Sequence, residues 1–219
     1  MTRISFDQEL ELLKATLEEM GNYVVDTIDK LFEAIEKRDS EIVDFIYKND
    51  RTINDMEKSI ESQCLSIITK QQPVARDLRT VSAALKVVTD LERIGDHASD
   101  IAELIIRNGD MDLSKYSKHI LVMTSASKEM VHDAVDTFLT GNIKKANEVI
   151  KGDDMVDELF NRVKDDLIQT IRGNDEEVDV CIDVLMINKY LEKIADHAVN
   201  IAEWEIFKET GSINDVRLY

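Results

Sequence analysis

Two segments one hundred residues apart, LERIGDHASDIAE at 91–103 and LEKIADHAVNIAE at 191–203, agree at nine of thirteen positions. Leu91, Ile94, Ala98, Ile101 and Ala102 recur, as a packed core requires, but so do Glu92, Asp96, His97 and Glu103. Packing alone would preserve the apolar residues and would not single out acids and a histidine. On a helix, Glu92, Asp96, Asp100 and Glu103 fall within about 80° of one another, nearly opposite Leu91, Ile94, Ala98 and Ile101. Glu192, Asp196, Asn200 and Glu203 repeat the stripe against Leu191, Ile194, Ala198 and Ile201. A solvated polar face is the ordinary reading of such a stripe. Against it, like charges four apart destabilise a helix by a few tenths of a kcal/mol per pair, and a solubility face would intersperse lysines. Carboxylate oxygens, with an occasional amide oxygen, suit hard cations such as iron, manganese, magnesium or calcium.

Further ligands are expected from a neighbouring helix of each copy. Lys48-Asn49-Asp50 aligns with Lys151-Gly152-Asp153, and Asn54 with Asp157. Asp153 and Asp157 therefore repeat the four-residue acid spacing, while Asp50 and Asn54 give a weaker version of it. The candidate metal ligands are Glu92, Asp96, Asp100, Asp50 and Asn54 in the first copy, with Glu192, Asp196, Asn200, Asp153 and Asp157 in the second. His97 and His197 lie about 100° further round the helix, which suits a histidine at the edge of the row better than a ligand. His119 and His132 have no repeated counterpart and are expected to be incidental.

The elements that position these residues are helices. Leu10, Leu13, Leu17, Met20, Val24, Ile28, Leu31 and Ile35 recur at intervals of three and four, one face of a first helix. Asp39 and Ser40 can cap a second, carrying Ile42, Ile46, Ile53, Met56, Ile60 and Ile67. Pro73 ends it or opens the third, which runs to a stop at Asn108-Gly109-Asp110. Residues 109–115 hold turn formers without apolar period, giving a division into repeats 1–110 and 111–219. A fourth helix is predicted over about 115–140, a fifth over about 143–172 after Gly141-Asn142, and a sixth to about 209. Before the sixth, Gly173-Asn174 breaks the chain and Asp175, Glu176 and Glu177 place negative charge at its start, and a short tail follows. Helices of about 30 residues span roughly 45 Å, and when joined by short connections they pack antiparallel. The fold class is all-α, two tandem antiparallel three-helix bundles.

Composition limits the function. The chain of 219 residues has a formal net charge of −18, a surface that repels phosphate backbones, so no nucleic-acid partner is expected. Cys64 and Cys181 do not occupy equivalent positions and read as buried free thiols of a reducing compartment. Neither a basic-plus-apolar leader nor an apolar run of about 18 residues occurs, so a cytoplasmic protein is expected. Nucleophile–base pairs, phosphate loops and Cys/His metal spacings are lacking too, and no enzyme activity is predicted.

The segments QQPVARDLRTVSAALKVVTDLERIGDHASDIAE (71–103) and NKYLEKIADHAVNIAEW (188–204) closely resemble the PhoU family. That resemblance implies two three-helix bundles related by a pseudo-twofold axis, commonly a homodimer. It implies a non-enzymatic cytoplasmic regulator of the phosphate-specific ABC transporter and of the phosphate-starvation response. It further implies iron or zinc clusters on Glu/Asp-x-x-x-Asp motifs, here Glu92–Asp96, Glu192–Asp196 and Asp153–Asp157. Asp50–Asn54 departs from the motif. The implied partners are the transporter's ATPase subunit and the membrane phosphate-sensing histidine kinase, with membrane contact only through them. Two other readings compete. A ferritin-like di-iron oxidase needs two inward Glu-x-x-His pairs, and only Glu129–His132 has that spacing. A helical adaptor would leave the acidic faces metal-free. The basic pair Arg76 and Arg79, without counterpart in the second half, is a candidate partner-facing patch.

Overall fold

Each periodic apolar stretch forms one long helix. The computed structural model describes residues 3–37, 40–109, 112–173, 177–213 and 216–217. Its helices are α1 (Arg3–Lys37), α2 (Ser40–Gln71), α3 (Ala75–Asn108), α4 (Lys118–Thr140), α5 (Ile143–Gly173) and α6 (Val178–Thr210). The expected cap at Asp39 and the acids Asp175 and Glu176 lie outside the described residues. Pro73 falls in the link between α2 and α3, where its missing N–H leaves no helical hydrogen bond unmade. Gly109 ends α3 with φ 58, and Gly141 ends α4 in the left-handed conformation with φ 78, where a Cβ would be strained.

One expectation needs correction. The fourth helix starts at Lys118 rather than near 115, because Leu113–Lys115 forms a separate 3-10 turn held by the Asp112 side chain. Ser117 then caps α4, accepting from the His119 N–H and donating its hydroxyl to Asp166 of α5 at 2.6 Å. Within the short tail, Ser212–Ile213 pairs antiparallel with Val216–Arg217.

Helices α1, α2 and α3 pack as one bundle and α4, α5 and α6 as another, and α3 and α6 run antiparallel against each other between them. Helix α1 also touches α4. The stripe Leu13, Leu17, Met20, Val24, Ile28 and Leu31 is buried along α1, as its spacing predicts. Leu91, Ile94, Ala98 and Ile101 of α3 are buried together with Leu191, Ile194, Ala198 and Ile201 of α6. Each buried Leu and Ile among them contributes about 1.5–3 kcal/mol, enough in aggregate to fix the rotational phase of both helices.

Polar ties finish the join. Arg79 Nε donates to the Lys208 carbonyl in the last turn of α6, and Arg76 pairs with Glu209 at 3.2 Å. The basic pair thus ties the start of α3 to the end of α6, while Arg76 itself stays 72% exposed. His132 lies 2.7 Å from Asp29 and ties α4 to α1, while His119 lies 3.0 Å from Asp166. Both histidines therefore have structural roles. Glu129 is exposed, so Glu129 and His132 do not converge as a di-iron pair.

Gly95 sets how closely α2 approaches α3, since a Cβ there would lie 3.1 Å from Ile53 Cδ1. In the second half Ala195 stands at this place. Gly95→Val is expected to cost about 1–3 kcal/mol in urea unfolding, and Gly95→Ala less than Gly95→Val. Equal stability of Gly95→Val and the parent would contradict this account of the approach.

Candidate metal centre

With the apolar faces of α3 and α6 fixed, the acidic stripes have only one direction left. They do not stand free in solvent as the helical wheel suggests. Each lies in a groove, the first between α2 and α3 and the second between α5 and α6. Glu92 and Glu192 retain only 12% and 14% side-chain exposure, and the aspartates one turn further on are more open.

The first groove gathers Asp50, Glu57, Glu92, Asp96 and Asp100. Burial, followed by repulsion from Asp96, Glu57 and Asp50, pushes the Glu92 carboxyl up to about 7. Asp50 is raised by burial and then by Asp96 and Asp100, and Glu57 by burial and then Glu61, with Asp96 adding to it. Asn54 donates to Asp50 Oδ2 at 3.3 Å, so the departure from the acidic motif becomes a hydrogen bond within the groove. Glu57 was not among the sequence candidates. Its signal was present, because positions 50, 54 and 57 share one helical face.

The second groove gathers Asp153, Asp157, Glu192 and Asp196. Burial, then Asp157, Asp196 and Glu192, raises Asp153 to about 6. Glu92 Oε2 and Asp153 Oδ1 are buried without a hydrogen-bond partner, although Arg93 Nε stands 3.5 Å from Glu92 Oε2. A buried carboxylate oxygen left unmatched is costly, and both oxygens open onto carboxylate neighbours.

Asn200 does not join the second groove. It donates to Asp90 Oδ1 at 3.0 Å, and His197 Nδ1 lies 2.8 Å from the same oxygen. A carboxylate only accepts, so this contact fixes the proton of His197 on Nδ1. His97 and His197 face one another where α3 crosses α6, with ring centroids 5.6 Å apart, and Tyr190 stacks on His97 at 5.4 Å. The histidines line the seam between the bundles, and His97 also stands at the edge of the first acidic row, its Nδ1 3.7 Å from Asp100 Oδ2. Burial, then the neighbouring His197, lowers the His97 pKa.

Among the described residues, no three Asp, Glu, His or Cys side chains converge on one point as a preformed ion cage. The acids are instead paired with basic neighbours: Arg93 with Asp96 at 3.0 Å, Lys189 with Glu192 at 2.6 Å, and Lys193 with Asp196. No helix among the described residues is long and apolar enough to cross a membrane.

Fold and grooves together define a class: a duplicated helical bundle presenting two acidic grooves across one seam. The PhoU domain model matches residues 17–105 and 120–204, one copy in each half. The chain is 39% identical over 217 residues to the phosphate-specific transport system accessory protein PhoU homolog of Clostridium acetobutylicum, covering 99% of each. It is 32% identical to the homolog of the same name from Borreliella burgdorferi, covering 96% of this chain and 97% of that one. The crystal structure of PhoU from Pseudomonas aeruginosa superposes with a TM-score of 0.90 at 30% identity, over 94% of this chain and all (100%) of that one. The phosphate transport system regulatory protein PhoU from Streptococcus pneumoniae superposes with a TM-score of 0.86 at 27% identity, over 96% and 100% of the two chains. The chain belongs to the PhoU family.

The raised carboxyls predict the pH dependence of the metal-free protein. A carboxyl whose folded pKa exceeds its unfolded value stabilises the fold below the unfolded pKa, and that contribution is lost as pH rises through the folded pKa. For Glu92 and Asp153 the window runs from about 4 to about 7. Thermal melting in chelator is expected to show stability falling across this range, and Glu92→Gln with Asp153→Asn to reduce the slope. An unchanged slope in the double variant would contradict the assignment.

Proposed function

We propose that this protein is a non-enzymatic regulator of a phosphate-specific transport system, one whose acidic grooves bind metal ions. The observation that carries the metal reading is the repeated pairing of Glu92–Asp96 and Glu192–Asp196 with acids of the preceding helix. In each groove one buried carboxylate oxygen lacks a hydrogen bond. All the donors are oxygen, which suits hard first-row cations, and the family resemblance points to iron or zinc. The residues that would hold such ions are Asp50, Glu92, Asp96 and Asp100, with Glu57, in the first groove, and Asp153, Asp157, Glu192 and Asp196 in the second, brought together as the ion replaces their basic partners. A bound cation would compensate the like charges crowded there and displace the protons held by Glu92 and Asp153.

The regulatory reading rests on the relatives, which are named as accessory or regulatory proteins of phosphate transport. In this proposal the protein, as a homodimer in the cytoplasm, contacts the ATPase subunit of the ABC transporter and the membrane phosphate-sensing kinase. It lowers uptake and starvation signalling when phosphate is sufficient. Metal in the grooves turns an acidic surface into one able to bridge to a phosphate or an acidic partner.

Replacing Glu92, Asp96, Glu192 and Asp196 together by Ala tests both parts. Metal measured by elemental analysis in protein purified without chelator is expected to fall to background. Transcription from phosphate-starvation promoters is expected to become constitutive in cells grown with ample phosphate. Unchanged metal content and unchanged repression would sink the proposal.

A further inference from the structure

Every Glu-x-x-x-Asp pair in these grooves carries its own cation on the next residue. Arg93 Nη1 lies 3.0 Å from Asp96 Oδ2 while its Nε lies 3.5 Å from Glu92 Oε2. In the second copy, Lys193 Nζ is ion-paired with Asp196 and lies 3.4 Å from Glu192 Oε2. One positive side chain thus spans both carboxylates of each pair, the position an ion shared by them would take. The second groove holds one cation more, because Lys189 Nζ sits 2.6 Å from Glu192 Oε2. Thr89 occupies the corresponding place in the first copy, where its hydroxyl donates to the Leu85 carbonyl.

The opposing acids are also unequal. Glu57 in the first groove is replaced by Phe160 in the second. The Phe160 ring carries Lys189 at 5.4 Å and Lys164 at 6.0 Å from its centroid, which anchors Lys189 over the groove. Among the described residues the Glu-x-x-x-Asp pair of the first groove is ion-paired to the single cation Arg93, with Lys58 acting on Glu57 only through space and His97 standing 3.7 Å from Asp100, whereas the pair of the second groove is ion-paired to both Lys189 and Lys193.

Resting on the metal-binding reading above, we propose that Arg93, Lys193 and Lys189 are internal counter-ions that an incoming metal must displace. Their unequal number makes the α2/α3 groove fill first and hold metal more tightly than the α5/α6 groove. The asymmetry between the two halves is then a loading order rather than drift between duplicates. All three cations are about half exposed, so each opposes metal only modestly. Removing one is expected to tighten its groove roughly two- to fivefold, the range set by single solvent-exposed ion pairs.

The test is Mn2+ titration of chelator-stripped full-length protein, with free Mn2+ read by electron paramagnetic resonance. The parent is expected to show two affinity classes. Asp153→Asn with Asp157→Asn should remove the weaker, and Asp50→Asn with Glu92→Gln the tighter. Lys189→Gln with Lys193→Gln should tighten the weaker class by roughly four- to 25-fold, the product of two such pairs. Arg93→Gln should tighten the stronger class, and Arg93→Lys should behave as the parent. Lys144→Gln removes the same charge from the outer face of α5, where Lys144 is 89% exposed, and should change neither class. The proposal is overturned if the parent binds Mn2+ but the glutamine variants leave both affinities unmoved, or if Lys144→Gln moves them equally. It is also overturned if Asp153→Asn with Asp157→Asn removes the tighter class. A parent that takes up no Mn2+ overturns the metal reading itself, a result distinct from these.

Discussion

A helix has a single rotational phase, and in this molecule that phase is set for α3 and α6 by the burial of one apolar stripe on each. Burial of Leu91, Ile94, Ala98 and Ile101 along α3, and of Leu191, Ile194, Ala198 and Ile201 along α6, leaves no freedom in where the remaining residues point. Glu92, Asp96 and Asp100 are committed to the α2 side, and Glu192 and Asp196 to the α5 side. Gly95, at van der Waals limit from Ile53, then determines how near the α2 acids stand. The grooves are a consequence of core packing in adjacent positions of the same thirteen-residue segment.

The electrostatic result is a fold that holds charges it would otherwise separate. Repulsion and burial raise Glu92 to about 7 and Asp153 to about 6, so near neutral pH each groove retains a proton for part of the time. Arg93, Lys189 and Lys193 neutralise the remainder in part. A proton, a basic side chain and a metal ion are three ways of meeting one demand, and metal is the one that can be supplied from outside. A similar tension recurs away from the grooves. Glu205, fully buried beside Lys208 and beneath Gly141, is also pushed up to about 7, mainly by burial.

Much of this was legible in the sequence. Helix limits followed from apolar spacing and glycine stops, the duplication from one alignment, and the acidic stripes from a helical wheel. The wheel shows direction on one helix but not which helix lies alongside, so it read the stripe as outward where a groove stands. For the same reason it placed His97 and His197 at an edge, whereas that edge is the seam between the two bundles. Asn200 aligned with Asp100 yet serves Asp90 of the opposite copy, a contact that no within-copy comparison can reveal. Glu57 was missed because its counterpart is Phe160, and the search relied on repetition between halves. The ties of Arg76 and Arg79 to Glu209 and the Lys208 carbonyl were not legible, because those partners lie some 130 residues further along the chain.

The claim that the two grooves are cation sites is tested most directly by anomalous diffraction from crystals grown with Mn2+, collected on either side of the manganese edge. Peaks are expected between α2 and α3 within coordination distance of Glu92 and Asp96, and between α5 and α6 beside Glu192 and Asp196. Anomalous density elsewhere on the surface, with both grooves empty at saturating Mn2+, would contradict it.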